Sequence, residues 1–142
     1  ANARIITTTD EMLQEIGINP ENIFINDGSG LSRLNLVTPR QIVALLTYMY
    51  KSEFYIPFYN SLPVAGKDGT LGDRMKNNKL EGNVRAKTGF LGNVRSLSGY
   101  IHTGDNEPVA FSIIANNYIV PSKLADNIQD LVCLRLANFK RK

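Results

Sequence analysis

The 142-residue sequence contains a single cysteine, Cys133, and a single histidine, His102. One cysteine cannot close a disulfide within the chain, and one Cys with one His cannot supply the ligands of a structural zinc site. No acidic cluster has the spacing of a calcium loop. No stretch approaches the ~20 consecutive apolar residues of a membrane-spanning helix. We therefore expect no bound metal, no cofactor and no disulfide scaffold.

The chain also has little excess of positive over negative charge. The chain has 16 Lys and Arg against 13 Asp and Glu, and Lys140, Arg141 and Lys142 account for the net charge of +3. The remainder is neutral, so the composition gives no electrostatic footprint for nucleic acid. The basic tail is interpreted as a solvated terminus, with contact to a membrane surface or an anionic polymer as the alternative.

Two helices are predicted in the first half from capping patterns. Thr8 with Glu11 predicts one start, and Gly17 predicts the end of that helix. The run TPRQ at 38–41 predicts a second start, because it places threonine at the N-cap, proline at the first helical position and glutamine at the third. Helical spacing predicts buried faces made by Met12, Leu13 and Ile16 in the first helix and by Ile42, Leu45, Leu46 and Met49 in the second.

From residue 84 the apolar period changes from helical to alternating. The pattern predicts three strands, over 84–88, 94–103 and 108–115, joined by short turns. Ser122 predicts the start of a last helix that has a small buried Cys133 and carries the apolar residues Leu124, Ile128, Leu131, Val132 and Leu136. The predicted fold class is α+β, a single partial domain over 1–142 in which helices cover an antiparallel sheet with exposed edges.

Three common catalytic patterns do not fit the sequence. GKD at 66–68 resembles the end of a phosphate-binding loop, but Ser61 stands where that loop needs glycine and Asp68 where it needs Ser or Thr. Ser29 has Asp27 rather than glycine two residues before it, so it lacks the surroundings of a hydrolase nucleophile elbow. His102 is interpreted as a polar residue near a strand end, with a Ser-His-Asp set as the alternative.

Lys87 and Thr88 end the first predicted strand, and with Gly89 directly after them they form the most informative triplet of the chain. Lysine offers a fixed positive charge to a carboxylate, threonine offers a hydroxyl donor, and glycine permits close approach of a ligand that lies alongside as an extra strand. The N–H of Phe90 would then be placed as an oxyanion donor. The triplet alone is common, and an edge strand that ends in a turn is the alternative interpretation.

Longer stretches make the pattern specific. They are DGSGLSRLNLVTP at 27–39, LPVAGKDGTL at 62–71, VRAKTG at 84–89 and SLSGY at 96–100. In this order they resemble the C-terminal part of the penicillin-binding D-alanyl-D-alanine carboxypeptidase/endopeptidases, the low-molecular-mass class C group. The last helix fits that family in placement only.

The same family also uses Ser-x-x-Lys and Ser-x-Asn, both upstream of the stretch at 27–39. None of the eight serines in this chain has Lys three residues on or Asn two residues on. The resemblance implies that an upstream segment supplies the nucleophile and the first two strands of a penicillin-binding transpeptidase-like (serine β-lactamase-like) domain. We therefore expect the 142 residues alone to be inactive.

The resemblance implies acyl-enzyme chemistry on the D-Ala-D-Ala end of peptidoglycan stem peptides, in the periplasm or at the cell surface, and β-lactam binding by the complete enzyme. The implied catalytic residues are Lys87, Thr88 and Phe90, and the implied substrate-binding residues are Lys87, Thr88, Gly89, Phe90 and Leu91. Lys87 and Thr88 would hold the terminal carboxylate, and the Phe90 N–H would form half of the oxyanion hole. The family usually has Ser or Thr at position 90. Phenylalanine keeps the N–H and removes that hydroxyl, or its ring offers an apolar wall to the peptide.

Other polar residues have structural interpretations. The run at 27–32, with Asp27, Ser29 and Ser32, is interpreted as a turn, with catalysis as the alternative. The triplet DGT at 68–70 is interpreted as a turn held by a local side-chain bond, with a site-lining role as the alternative. Lys76, Lys79 and Arg85 are expected to be solvated charges.

Two other functions remain as alternative hypotheses to the enzyme. The sequence does not decide whether the chain forms a homo-oligomer. The second hypothesis is a non-catalytic peptidoglycan-binding or interaction module that kept the fold and lost the nucleophile. The third is a β-lactamase-like hydrolase, against which the stretches at 27–32 and 62–66 argue.

Overall fold

The computed structural model describes the backbone of residues 2–141 and the side chains of residues 9–141. The elements in chain order are α1 (Asn2–Ile16), α2 (Pro39–Lys51), α3 (Tyr55–Ser61), β1 (Arg85–Leu91), β2 (Val94–His102), β3 (Pro108–Asn116) and α4 (Ser122–Asn138), with 3₁₀ turns at Pro20–Asn22 and Gly69–Leu71. Within the described residues, no helix is long and apolar enough to cross a membrane, and no group of three His, Cys, Asp or Glu could hold a metal ion.

The three strands form one antiparallel sheet in the order β1-β2-β3. Lys87 pairs with Ser98 across the first ladder, and Ser98 pairs with Ser112 across the second. The two-residue turn at 92–93 joins β1 to β2 and fixes this register. The α+β class and the three strands are confirmed, with bounds that differ from the predicted ones by at most a few residues.

The sheet has two apolar faces, each covered by different helices. One face presents Ala86, Leu97 and Phe111 to Cys133 and Ala137 of α4. The other face packs against α2 and α3, in a second cluster made of Leu46, Leu62 and Tyr100, with Ile42, Tyr55, Phe58, Tyr59 and Ala110 around it. The two faces follow from the alternation of side chains along each strand.

Tyr100 is the polar anchor of the second cluster. Its hydroxyl donates to the carbonyl of Leu46 at 2.6 Å, and its ring meets Tyr55 edge to face, with centroids 5.6 Å apart. Burial raises the pKa of Tyr100 to about 12, because the phenolate would lose its hydration there. The hydroxyl therefore stays a donor at physiological pH and ties α2 to the sheet.

The buried face of α4 is not the one that its largest apolar residues mark in the sequence. Leu124, Ile128, Leu131 and Val132 are exposed, and Leu136 is half-buried. The buried positions are Ala125, Gln129, Cys133 and Ala137, which recur every four residues. Three of these side chains are small, so the helix backbone can lie close to the sheet, whereas larger residues would hold it away. The burial of Cys133 is confirmed, and desolvation raises the pKa of its thiol to about 12.

The first helix begins earlier than predicted. Residue 8 lies inside α1, so the predicted capping box of Thr8 and Glu11 does not start this helix; the side chain of Thr8 lies outside the described ones. The end at Gly17 is confirmed: its φ is +86°, and the Ile18 N–H donates to the Leu13 carbonyl at 2.8 Å. Leu13 is buried, Ile16 is half-buried, and Met12 is exposed, contrary to its prediction.

The second helix begins as predicted. Thr38 accepts from the Gln41 N–H at 3.3 Å, and the Gln41 side chain accepts from the Thr38 N–H at 2.7 Å, which completes the capping box. Leu46 is buried, and the other predicted inward residues, Ile42, Leu45 and Met49, are half-buried.

Gly99 allows β1 to lie close to β2. A Cβ added at residue 99 would lie 2.1 Å from the Arg85 carbonyl oxygen and 2.6 Å from the Ala86 Cα, both of which are backbone atoms. We expect Gly99→Ala to lower the free energy of unfolding by about 1–3 kcal/mol through overpacking, measured by urea denaturation. The matched control is Gly28→Ala, because no atom lies within 4 Å of its Cβ position. Equal stability of the two variants would contradict this packing.

Candidate active site

The Lys-Thr-Gly triplet lies at the middle of β1, on an outer edge of the sheet. The beginning of that edge is covered, because the Ala86 N–H donates to the Pro63 carbonyl at 3.0 Å and the Ala65 N–H donates to the Val84 carbonyl at 2.9 Å. From Lys87 onward, no other strand of the described chain pairs with this edge. The backbone pairing between residues 63–65 and β1 therefore ends just before the triplet.

The direction of the Ala86 N–H determines which groups of β1 face the open edge. In an antiparallel ladder, successive residues point their N–H and C=O alternately toward the partner strand and away from it. Ala86 points outward to Pro63, so Thr88 and Phe90 also point outward, whereas Lys87 and Gly89 pair with β2. Within the part of the chain that the structure describes, the Phe90 N–H is therefore a free donor at the open edge.

Lys87 is exposed and reaches along this edge. Its Nζ donates to the Thr88 carbonyl oxygen at 2.8 Å, which is one of the outward groups. An ammonium group has three N–H donors, so two remain for a ligand. The site thus has a positive charge directly beside the free backbone groups.

Thr88 contacts a residue from another segment. Its Oγ1 donates to the Oγ1 of Thr70 at 2.8 Å. Thr70 belongs to the 3₁₀ turn Gly69–Leu71, and the preceding Asp68 carboxylate accepts from the Val64 N–H at 2.7 Å. The predicted local side-chain bond is confirmed, and this turn also reaches the triplet through Thr70.

Phe90 directs its ring to the face that α4 covers. The Arg95 guanidinium lies over the ring, 4.1 Å from its centroid, and the Arg95 Nε is 3.7 Å from Asp126 of α4. Phe90 is nevertheless 61% exposed. Stacking on Arg95 holds the Phe90 side chain on that face of the sheet, so the ring does not cover the Phe90 backbone N–H at the open edge.

Gly89 and Leu91 lie on the face opposite to Phe90. A Cβ at residue 89 would lie 2.3 Å from the Ser96 hydroxyl, so glycine lets β1 and β2 approach there. Leu91 is half-buried and ends β1. The next residue, Gly92, lies beside the Arg33 guanidinium, whose Nη2 is 3.0 Å from the glycine's Cβ position. The loop at 26–37 therefore reaches the same end of the strand.

The Asp27 loop bonds to itself. The Asp27 carboxylate accepts from the Gly30 N–H at 3.2 Å and from the Asn35 Nδ2 at 3.0 Å. Both bonds lower the pKa of Asp27 below its ordinary value, and the bond from Asn35 has the largest effect. Ser29 and Ser32 accept from N–H groups two residues further along the chain. Such bonds are those of a turn, and neither serine hydroxyl contacts the triplet.

Several other predicted residues lie away from the triplet. His102 is half-buried, with its backbone bonded to the Asn83 side chain. Lys76 pairs with Asp73, and Lys79 donates to Asn138, both at the surface. Arg85 is not a solvated charge as predicted: it is half-buried, with its guanidinium 4.8 Å from the Tyr59 ring centroid.

Comparison with known proteins gives consistent matches. Residues 4–138 match the model of the D-Ala-D-Ala carboxypeptidase 3 (S13) family. The chain is 41% identical over 135 residues to the D-alanyl-D-alanine carboxypeptidase of Actinomadura sp. (strain R39), covering 92% of this chain and 24% of that protein. It is 40% identical over 109 residues to D-alanyl-D-alanine carboxypeptidase DacB of Haemophilus influenzae, covering 75% of this chain and 23% of that protein.

Solved structures agree with these matches. The crystal structure of penicillin binding protein 4 (dacB) from Haemophilus influenzae superimposes with a TM-score of 0.80 at 32% identity, covering 92% of this chain and 31% of that one. A predatory endopeptidase from Bdellovibrio bacteriovorus shares the fold, with a TM-score of 0.71 at 20% identity. The chain spans about a quarter of the length of the curated relatives it matches. With its Lys-Thr-Gly strand at the open edge of an antiparallel sheet, the chain belongs to the D-Ala-D-Ala carboxypeptidase 3 (S13) family.

Proposed function

We propose that this chain provides the carboxylate-binding and oxyanion-binding part of a serine-type D-Ala-D-Ala carboxypeptidase/endopeptidase that acts on peptidoglycan stem peptides. The observation that carries the proposal is the open edge of β1, where the outward N–H of Phe90 and the Lys87 ammonium are both free to meet a ligand. Family membership and the names of the relatives support the same chemistry.

In this proposal the peptide lies along the open edge as an added antiparallel strand. Its backbone pairs with the outward groups of Thr88 and Phe90, and its terminal carboxylate is drawn to Lys87. Pairing with backbone groups gives affinity for any extended peptide, whereas the ammonium selects one that ends in a carboxylate at the reacting end. Leu91 and the exposed Phe90 ring are the apolar groups that flank the stem.

The chemical step needs a nucleophile from outside these 142 residues, because no serine here has Lys three residues on. A serine Oγ from an upstream segment attacks the carbonyl carbon between the two D-alanines, and its proton passes to a neighbouring lysine. The oxyanion accepts from the Phe90 N–H. As the C–N bond breaks, the lysine gives that proton to the nitrogen of the leaving D-alanine. Water then hydrolyses the ester, which releases the shortened peptide as an acid and frees the serine.

The substrate determines the compartment and the other ligands of the complete protein. Peptidoglycan lies outside the cytoplasmic membrane, so we place the enzyme in the cell envelope, in the periplasm or at the cell surface. β-Lactams present a carboxylate beside a reactive carbonyl, and they would occupy the same edge and acylate the same serine. A Haemophilus influenzae relative has been solved in complex with a β-lactam, which supports this.

The direct test uses a fluorescent penicillin and intact mass measurement on two proteins, the 142-residue chain and the same chain extended by the segment encoded upstream of it. We expect no adduct on the chain alone and one adduct per molecule on the extended chain. An adduct on one of the eight serines of the chain alone would overturn the assignment of the nucleophile. Absence of an adduct from both proteins would favour a non-catalytic peptidoglycan-binding module.

Lys87 is expected to matter for ligands that carry a carboxylate. In the extended chain, Lys87→Ala should slow acylation by penicillin at least tenfold, because a charge-assisted contact is worth about 1.5–3 kcal/mol. Lys123→Ala is the control, since Lys123 is an exposed lysine on α4. The acylation rate is read from stopped time points on a gel. An unchanged rate in Lys87→Ala, or an equal loss in Lys123→Ala, would contradict the role of Lys87.

A further inference from the structure

The pair of hydroxyls formed by Thr88 and Thr70 has one free proton to offer. A threonine hydroxyl has one O–H donor and two acceptor lone pairs. Thr88 donates its proton to Thr70 at 2.8 Å, so that proton is already used within the pair. Across the described side chains, no acceptor takes the proton of Thr70. The donor that remains available to a ligand therefore belongs to Thr70.

The position of Thr70 is set by the fold rather than by its own exposed side chain. Leu71, the next residue, is fully buried, and its carbonyl accepts from the Gly66 N–H at 2.9 Å. On the other side, Gly69 has a φ of +51°, and a Cβ there would lie 3.1 Å from the Pro63 ring. Pro63 is also the residue that covers the edge at Ala86. The segment that closes the beginning of the edge thus also places Thr70 beside its open part.

We infer that Thr70 is a carboxylate-binding residue of this site, acting together with Thr88 and Lys87. This inference rests on the proposed function. The Thr70 O–H donates to one carboxylate oxygen, while its oxygen keeps accepting from Thr88, which polarises the Thr70 hydroxyl and strengthens its donation. Lys87 supplies the charge from the opposite face of the strand, and a ligand at a sheet edge can be reached from both faces.

Thr70 and Thr88, which lie 18 positions apart in the sequence, have different roles in this arrangement. Thr88 orients Thr70 and Thr70 contacts the ligand, so removal of the Thr70 hydroxyl alone should weaken carboxylate recognition. A ligand without a carboxylate should be unaffected, because it makes only the backbone contacts of the edge.

The experiment measures binding to the 142-residue chain by amide NMR titration. The probes are diacetyl-L-Lys-D-Ala-D-Ala and its C-terminal amide, and the reporters are the amides of Thr88 and Phe90. We expect Thr70→Val to weaken binding of the acid about tenfold, with binding of the amide unchanged. Thr70→Ser, which restores the hydroxyl, should bind the acid within about twofold of the unaltered chain. Thr47→Val is the matched control, because Thr47 is an exposed threonine bonded within α2.

The outcomes separate the two proposals. If the acid is preferred over the amide and Lys87→Ala abolishes that preference, while Thr70→Val binds like the unaltered chain, the inference on Thr70 is overturned and the proposed function stands. A loss in Thr70→Ser or Thr47→Val as large as in Thr70→Val would overturn it as well, because the hydroxyl would not be the cause. If the unaltered chain does not prefer the acid and Lys87→Ala changes nothing, the proposed function fails and the inference fails with it.

Discussion

The hydrogen-bond ladder between β1 and β2 determines which backbone groups the site can offer. Pairing of Lys87 with Ser98 and of Gly89 with Ser96 turns the groups of Thr88 and Phe90 away from the sheet. A shift of one residue would reverse this and would move every side chain of β1 to the other face. The short turn after Leu91 and the close contact at Gly99 both hold the register that leaves the Phe90 N–H free.

The rest of the fold supports this edge without occupying it. The segment at 62–71 covers the beginning of β1, contacts Thr88 through Thr70 and leaves the outward backbone groups of the next residues open. Small residues on α4, such as Ala125 and Cys133, bring that helix close to the sheet. Arg95, held near Asp126 of the same helix, stacks on Phe90 and keeps its ring beside the edge. An exposed edge is usually a liability for a protein, and here it coincides with the residues best suited to bind an extended peptide.

Much of the fold follows from local patterns. Alternation and turn residues predict the three strands, and the capping box at Thr38 predicts α2, because these signals act over a few residues. The early start of α1 is missed because the β-branched residues at 5–9 disfavour a helix locally. The inward face of α4 is missed for another reason: hydrophobicity ranks Leu131 above Ala125, whereas close packing on the sheet selects the smaller residue.

The sequence predicts which residue types form the candidate site better than it predicts how they are arranged. The chemistry of Lys87 and Thr88 can be read from the triplet, and longer stretches make the family specific. The contact of Thr88 with Thr70 and the stacking of Arg95 on Phe90 depend on tertiary packing, which no local pattern encodes. Thr70 was marked in the sequence by the turn-forming Asp-Gly pair before it and by the stretch at 62–71, and neither signal predicts its contact with Thr88.

Amide hydrogen exchange at single residues of β1 reports which N–H groups of the strand pair with β2 and which face the open edge. We expect slow exchange at Lys87 and Gly89, whose N–H groups pair with β2, and fast exchange at Thr88 and Phe90, whose N–H groups face the open edge. Ala86 should be protected, because its outward N–H donates to Pro63. Slow exchange at Phe90 together with fast exchange at Gly89 would show the opposite register, and the N–H that we propose as the oxyanion donor would then point into the sheet.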